Sequence, residues 1–152
     1  RPQSIYNYVD SLSDLLDQVG LQFVQNVADR LTETISDVDG DEALMAFAQE
    51  FRAACNQHRG LAPLLLDLND NLRIPRSRKA IVQLYQDMFK PFQLDDSARV
   101  ENTLYRSTLF GFIIQEIGGF FKMQGTELDE RFTKVMQLAI DQTHLPADKT
   151  KK

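Results

Sequence analysis

One stretch constrains this chain more than any other. It runs from Asp95 to Met123, DDSARVENTLYRSTLFGFIIQEIGGFFKM, and contains no proline. Its second half, Leu109 to Phe121, is apolar on almost every side and carries Gly111, Gly118 and Gly119. A helix that is apolar all round must be buried all round. As one helix the stretch would run roughly 43 Å at ~1.5 Å per residue. A chain of 152 residues suits a single domain and has little protein of its own to wrap such a rod. The simplest cover is a second copy of the chain. A dimer seam is therefore expected on this helix, with the glycines letting the twin come close.

The remaining composition narrows the class. Formal net charge is −5, whereas a free-standing nucleic-acid binder is usually basic. Most of the chain should not touch phosphate. Cys55 is the one cysteine, so no intrachain disulfide is possible, and a lone thiol on an apolar helical face fits the reducing cytoplasm. No run approaches the roughly 18 to 20 apolar residues needed to cross a bilayer, and no signal-peptide pattern is present. The chain opens on Arg1 inside what reads as a structured segment, as expected of a fragment or of a longer chain whose start is not shown.

Nearly everything reads as helix. Pro2 to Tyr8 forms a short helix with proline in its first turn. A turn at Asp10-Ser11 follows, and Ser11 or Ser13 caps a second helix that runs to about Ser36. Its apolar positions, Leu15, Leu16, Val19, Phe23, Val27 and Leu31, step by three and four. A third helix spans Asp41 to about Gln57. Further helices follow at Leu61 to Asp67, Arg76 to Phe89, the central stretch, and Thr126 to about Thr143. Residues 146–152 form a disordered tail. The reading is all-α, about seven helices. Residues 1–10 are an appendage and residues 11–145 the helical body.

Pro2-Gln3-Ser4-Ile5-Tyr6-Asn7-Tyr8-Val9, followed by Leu15-Leu16, resembles the recognition helix and linking helix of TetR-family transcriptional regulators. Ile5 and Val9 would anchor one face. Gln3, Ser4, Tyr6, Asn7 and Tyr8 would face DNA, with side chains that hydrogen-bond base edges and phosphates. Two positions depart from the family: Tyr8 stands for its usual His, and Leu12 for a common Lys. The two earlier helices of the helix-turn-helix unit do not appear. Residues 1–40 carry two basic and seven acidic side chains, so this chain by itself should bind DNA poorly. Further on come His58-Arg59-Gly60-Leu61, then Gly111-Phe112-Ile113-Ile114-Gln115-Glu116, then Gly118-Gly119-Phe120. Together they resemble the regulatory domain of the subclass named for Trp, His and Gly positions. The Trp is missing, and Phe110 stands where that subclass commonly has His.

The resemblance implies an effector cavity inside the body. Its lining would come from Phe47, Phe51, Cys55, Leu65, Leu84, Tyr85, Met88, Phe89, Tyr105, Leu109 and Phe112, suited to a small apolar or amphipathic effector. The bland reading is that these side chains only fill the core. The resemblance also implies a homodimer built on the last two helices. Phe110, Ile114, Ile117, Gly118 and Phe121 would face the twin from the central helix, and Phe132, Val135, Met136 and Ala139 from the last one. Glu116 is a carboxylate in the most apolar stretch, so it needs a basic partner or backbone N–H groups; a cationic effector is the sharper alternative. His58 sits at a helix end that favours a cation. Cys55 reads as core rather than a redox sensor. Arg73, Arg76, Arg78 and Lys79 read as a solvated helix start.

No G-x-S-x-G, no Cys–His–Asn order, no paired carboxylates and no metal-ligand spacing appear, so neither catalysis, metal nor cofactor is expected. The function implied is a ligand-responsive, DNA-binding repressor that leaves its operator when a small effector binds. The alternative is a helical dimeric interaction module with no pocket.

Overall fold

Pro2 is the last proline before Pro63, and the first helix uses that freedom. In the computed structural model, which describes residues 2–66, 74–96 and 98–143 (side chains of 2–10 excepted), α1 runs unbroken over Pro2–Ile35. The predicted turn at Asp10-Ser11 is absent. Serine inside a helix costs only about half a kcal/mol, and no glycine weakens the backbone before Gly20. The chain's longest rod is therefore α1, roughly 51 Å at ~1.5 Å per residue, and not the central helix.

Five more helices follow among the described residues: α2 (Gly40–Gln57), α3 (Pro63–Leu66), α4 (Pro75–Phe89), α5 (Val100–Ile117) and α6 (Gly125–Asp141). A 3₁₀ turn, Lys90–Phe92, separates α4 from α5. No strand occurs among the described residues. The all-α class is as read from the sequence, with six helices in place of seven because the first two are one. No helix among the described residues is long and apolar enough to cross a membrane. The predicted tail, 146–152, lies outside the described residues.

Two helix pairs, α1 with α4 and α5 with α6, are joined through α2, which packs on α1, α5 and α6. The amphipathic pattern of α2 explains its central place. Leu44, Phe47, Ala48, Phe51, Ala54 and Cys55 are buried, and the opposite stripe stays polar. One core takes side chains from every helix.

The crossing of α1 and α4 is built on a carboxylate. Asp17 is 2 % exposed. Its Oδ1 accepts the Ser77 backbone N–H at 2.8 Å and its Oδ2 the Arg76 backbone N–H at 3.3 Å. These are the bonds that an N-cap side chain supplies to the first turn of its own helix. Here they come from another helix, since Ile74 at the N-cap of α4 provides none. Arg76 Nε also donates to Asp17 Oδ2 (2.9 Å) and Arg76 Nη2 to Asp14 Oδ1 (2.7 Å). Arg76 is thus an ion-pairing residue rather than a solvated charge. Gly20 lets the helices close: a Cβ there would lie 2.6 Å from Ser77 Oγ.

The central stretch is shorter than its composition suggests. Before it, Asn102, 1 % exposed, holds the connecting loop by donating to the carbonyls of Gln93 (2.7 Å) and Asp96 (3.0 Å). The helix therefore starts at Val100, not Asp95. At the far end Gly119 takes φ +75°, a left-handed conformation that glycine adopts freely. Phe120 N–H donates to Gln115 O (3.0 Å) and Gly119 N–H to Glu116 O (3.1 Å), the paired bonds of a Schellman stop. Gly118 and Gly119 thus end α5. They do not line a contact in mid-helix.

Asp17 gives a testable pH dependence. Burial pushes its carboxyl up, but hydrogen bonds from the Ser77 and Arg76 backbones and from Arg76 and Ser77 side chains outweigh this and hold it below 3.8. A depressed folded value means the stabilisation is complete above the unfolded value and is lost as pH falls through the folded one. Asp17→Asn is expected to cost about 2 kcal/mol near neutrality. The gap to the unaltered protein, followed by urea unfolding, should close as pH drops below 3.8.

Candidate functional site

The predicted pocket residues do come together, as a packed aromatic core. Phe47 stacks on Phe51 with centroids 5.9 Å apart and meets Phe89 at 5.5 Å. Tyr85 stacks on Phe89 at 5.8 Å. Phe110 then closes the cluster, 5.5 Å from both Phe51 and Tyr85. Cys55, Leu65, Leu84, Tyr105, Leu109 and Phe112 are buried, and Met88 is half-buried against them. The two phenols keep their hydroxyls satisfied: Tyr105 donates to Leu44 O at 2.7 Å and Tyr85 to Leu65 O. Burial raises the pKa of both. The rings fill the centre of the body and touch one another.

Open space lies on the other side of α2. A cleft of about 820 Å³ opens between the polar stripe of α2, the α5–α6 turn and the start of α6. From α2 come Gln49, Arg52, Ala53 and Asn56, spaced three and four apart and so on one face. From the turn and α6 come Phe121, Met123, Leu128, Phe132 and Thr133, with Gly119, Gln124 and Gly125 between them. None of the eleven predicted pocket residues lines it.

An arginine clamp forms the floor. Arg52 Nε donates to Glu116 Oε2 at 2.8 Å and Nη2 to Oε1 at 2.7 Å. This two-toothed pairing matches the guanidinium fork to the carboxylate. Nη1 reaches Asp129 Oδ1 at 2.8 Å. The guanidinium lies over Phe132, 4.9 Å from the ring centroid, and near Phe112 at 5.8 Å. The hydrogen bond to Glu116 is the main reason that Arg52 is held above its ordinary pKa. Glu116 has the basic partner that its place in an apolar stretch demanded. The arginine could have been found in the sequence: it sits on the polar stripe of the helix that the central stretch must pack against.

At the rim, Arg59 donates to Asn56 Oδ1 at 2.8 Å. His58 ends α2 and meets Phe23 edge-on at 5.8 Å. Cys55 lies fully buried beside the clamp. Burial, helped by the charge of Glu116, pushes its thiol up to about 12, which makes it inert in the folded state. Among the described residues no group of His, Cys, Asp or Glu side chains is placed to share a metal ion.

The predicted seam residues divide. Phe132 (1 % exposed), Met136 (0 %) and Ala139 (3 %) belong to the chain's own core. So does Phe110, against Phe51 and Tyr85, and Phe121, whose ring lies 4.7 Å from Phe112. Ile117 packs half-buried on the core. Phe132, Met136 and Ala139 are corrections, and half-buried Phe110, Phe121 and Ile117 turn part of their surface inward for the same reason. An apolar stripe shows that a helix faces something apolar, and here that is the rest of the chain. Ile114 and Gly118 are exposed and Val135 is half-buried. Leu104 and Leu138, not singled out from the sequence, are exposed on the same two helices. The side chains of Gln3, Ser4, Tyr6, Asn7 and Tyr8 lie outside the described residues.

Glu116→Gln leaves the part-buried guanidinium with solvated Asp129 as its remaining charge partner and is expected to cost about 3 kcal/mol in chemical denaturation. Cys55 should react with a thiol reagent at pH 8 only as fast as the protein unfolds, so its labelling rate should rise with urea in step with loss of helical signal. No family model matches this chain, and no curated protein matches it significantly.

Proposed function

We propose that this chain is the effector-responsive, dimer-forming body of a TetR-type transcriptional regulator working in the cytoplasm as a repressor. The reading rests on the order of the sequence motifs, and one structural observation carries its dimeric part. Three large apolar side chains of the α5–α6 hairpin are open to solvent: Leu104 is 42 %, Ile114 47 % and Leu138 69 % exposed. Nothing stands within 4 Å of where a Gly111 Cβ would be. Small and apolar residues on two adjacent helices make a face that a second hairpin can meet closely.

In this reading α1 is the lever. Its first turns carry Gln3, Ser4, Tyr6, Asn7 and Tyr8 toward the DNA, and its second half is packed in the body. A lever without a joint transmits any tilt imposed at the α1–α4 crossing. Half-sites on DNA recur at about one helical turn, ~34 Å, so a small change in lever angle in each subunit misplaces both. The effector must bind the released state better than the bound one; tight binding alone shifts nothing.

The close-packed aromatic core favours a second reading, a dimeric interaction module with no internal pocket. Native mass spectrometry separates the two, since a co-purifying small mass belongs only to the first. Both need the dimer. Light scattering after size exclusion should give twice 17.4 kDa, and Ile114→Glu should halve it with helicity unchanged. A mass of 17.4 kDa for the unaltered chain would remove both readings.

A further inference from the structure

The two carboxylates on Arg52 are not equivalent. Glu116 grips the guanidinium by two bonds and its side chain is 6 % exposed. Asp129 holds it by one bond and its side chain is 66 % exposed. A paired, buried carboxylate is fixed in place, because removing it strands a charge. A singly bonded, solvated carboxylate contributes little and exchanges readily with water and other anions. The outer tooth of the clamp is therefore replaceable.

What could replace it is set by its surroundings. Arg59 lines the same cleft, and its bonded partner is the neutral amide of Asn56. Among the described residues its charge has no carboxylate against it. Gln124 and Gly125 bring the amino end of α6 to the cleft, and no side chain caps that end. Each feature favours negative charge over positive. The opposite wall is apolar: Phe121 and Met123 half-buried, Leu128 nearly covered.

We infer that this cleft binds a small organic carboxylate bearing a short apolar group. The ligand's carboxylate takes the place of Asp129 on Arg52 and draws Arg59 onto its second oxygen, while its apolar part lies on Phe121 and Met123. No covalent step is involved. One anion leaves the guanidinium as another arrives, so Glu116 stays paired throughout. The inference rests on the effector-responsive reading and gives the effector its chemistry. It also gives a route outward. Asp129 ties the amino-terminal part of α6 to α2, and the same helix presents Leu138 on the face assigned to the twin. Releasing Asp129 frees one end of a rigid helix whose other side forms the seam.

Hexanoate, hexanol and hexylammonium share one apolar tail and differ in charge. Each is titrated at millimolar concentration into the ¹⁵N-labelled protein. Hexanoate should shift the amides of Gly119, Phe121 and Gly125 saturably. Hexanol should bind about fivefold more weakly, the worth of one exposed ion pair, and hexylammonium more weakly still. Arg59→Gln should weaken hexanoate about fivefold. Asp129→Asn should strengthen it, since a competitor has gone; a merely structural Asp129 would weaken it. Equal affinity for hexanoate and hexanol, weaker binding to Asp129→Asn, saturable shifts centred on Phe51 and Tyr85 instead, or no saturable shift at all, would each overturn the inference. A dimer that fails all of these keeps the regulator reading. A monomer that passes them keeps the cleft and loses that reading.

Discussion

A buried carboxylate cannot be left alone, and the arrangement of α2, α5 and α6 follows from that. Glu116 lies in the most apolar segment of the chain, where an unpaired charge would cost several kcal/mol. It is satisfied by Arg52, which must project from the polar stripe of α2 one turn before Cys55. That fixes how far α5 slides along α2. Phe112 and Phe132 then lie against the guanidinium and Phe121 packs on Phe112, so the ion pair is flanked by rings. The rings shield the pair from water and so strengthen it. The pair in turn sets the register in which the rings meet.

The α1–α4 crossing repeats this logic at the other end of the molecule. Asp17 is buried, and it is stable there because the first turn of α4 offers it two backbone N–H groups and a guanidinium. Hydrophobic stripes alone specify a helix face and leave sliding along the axis poorly determined. A buried acid with one matching set of donors removes that freedom. Gly20 and Ser77 add the steric half: nothing larger than hydrogen fits between them. A third link, Arg30 to Glu50 at 2.7 Å and to Gln57 at 2.7 Å, ties α1 to α2 nearer the surface.

Periodicity located the helices because each buries one stripe, and burial follows spacing. It misjudged continuity in two places for opposite reasons. Asp10-Ser11 offers capping side chains, but capping chemistry permits a helix start and does not force one, so α1 runs through. Gly118-Gly119 sits inside an apolar run, yet a left-handed residue with its two return bonds halts the helix whatever the hydrophobicity around it. The inward stripe of α6 was read as outward because a pattern of Phe132, Met136 and Ala139 carries no mark of whose surface it meets. The cleft escaped notice because its floor joins residues far apart in sequence, Arg52, Glu116 and Asp129. Only the packing of three helices places both carboxylates within 3 Å of the guanidinium.

The same three residues explain why the cleft stays open while the aromatic core is closed. The core brings together rings that gain by touching, so it packs until little space is left. At the clamp, the cation must keep its in-plane donors free for oxygen atoms. Apolar side chains can approach it only across its faces, and Phe132 and Phe112, whose rings pack on each other, already lie against it. The edge of the guanidinium that faces solvent is held by Asp129, a short side chain near the start of α6. Such a side chain can reach the arginine but cannot fill the space beside it. Polar Gln49, Asn56 and Gln124 line the remaining margin, and collapse onto them would bury amides without partners. A cavity bounded in this way persists because closing it would cost more than leaving it to water.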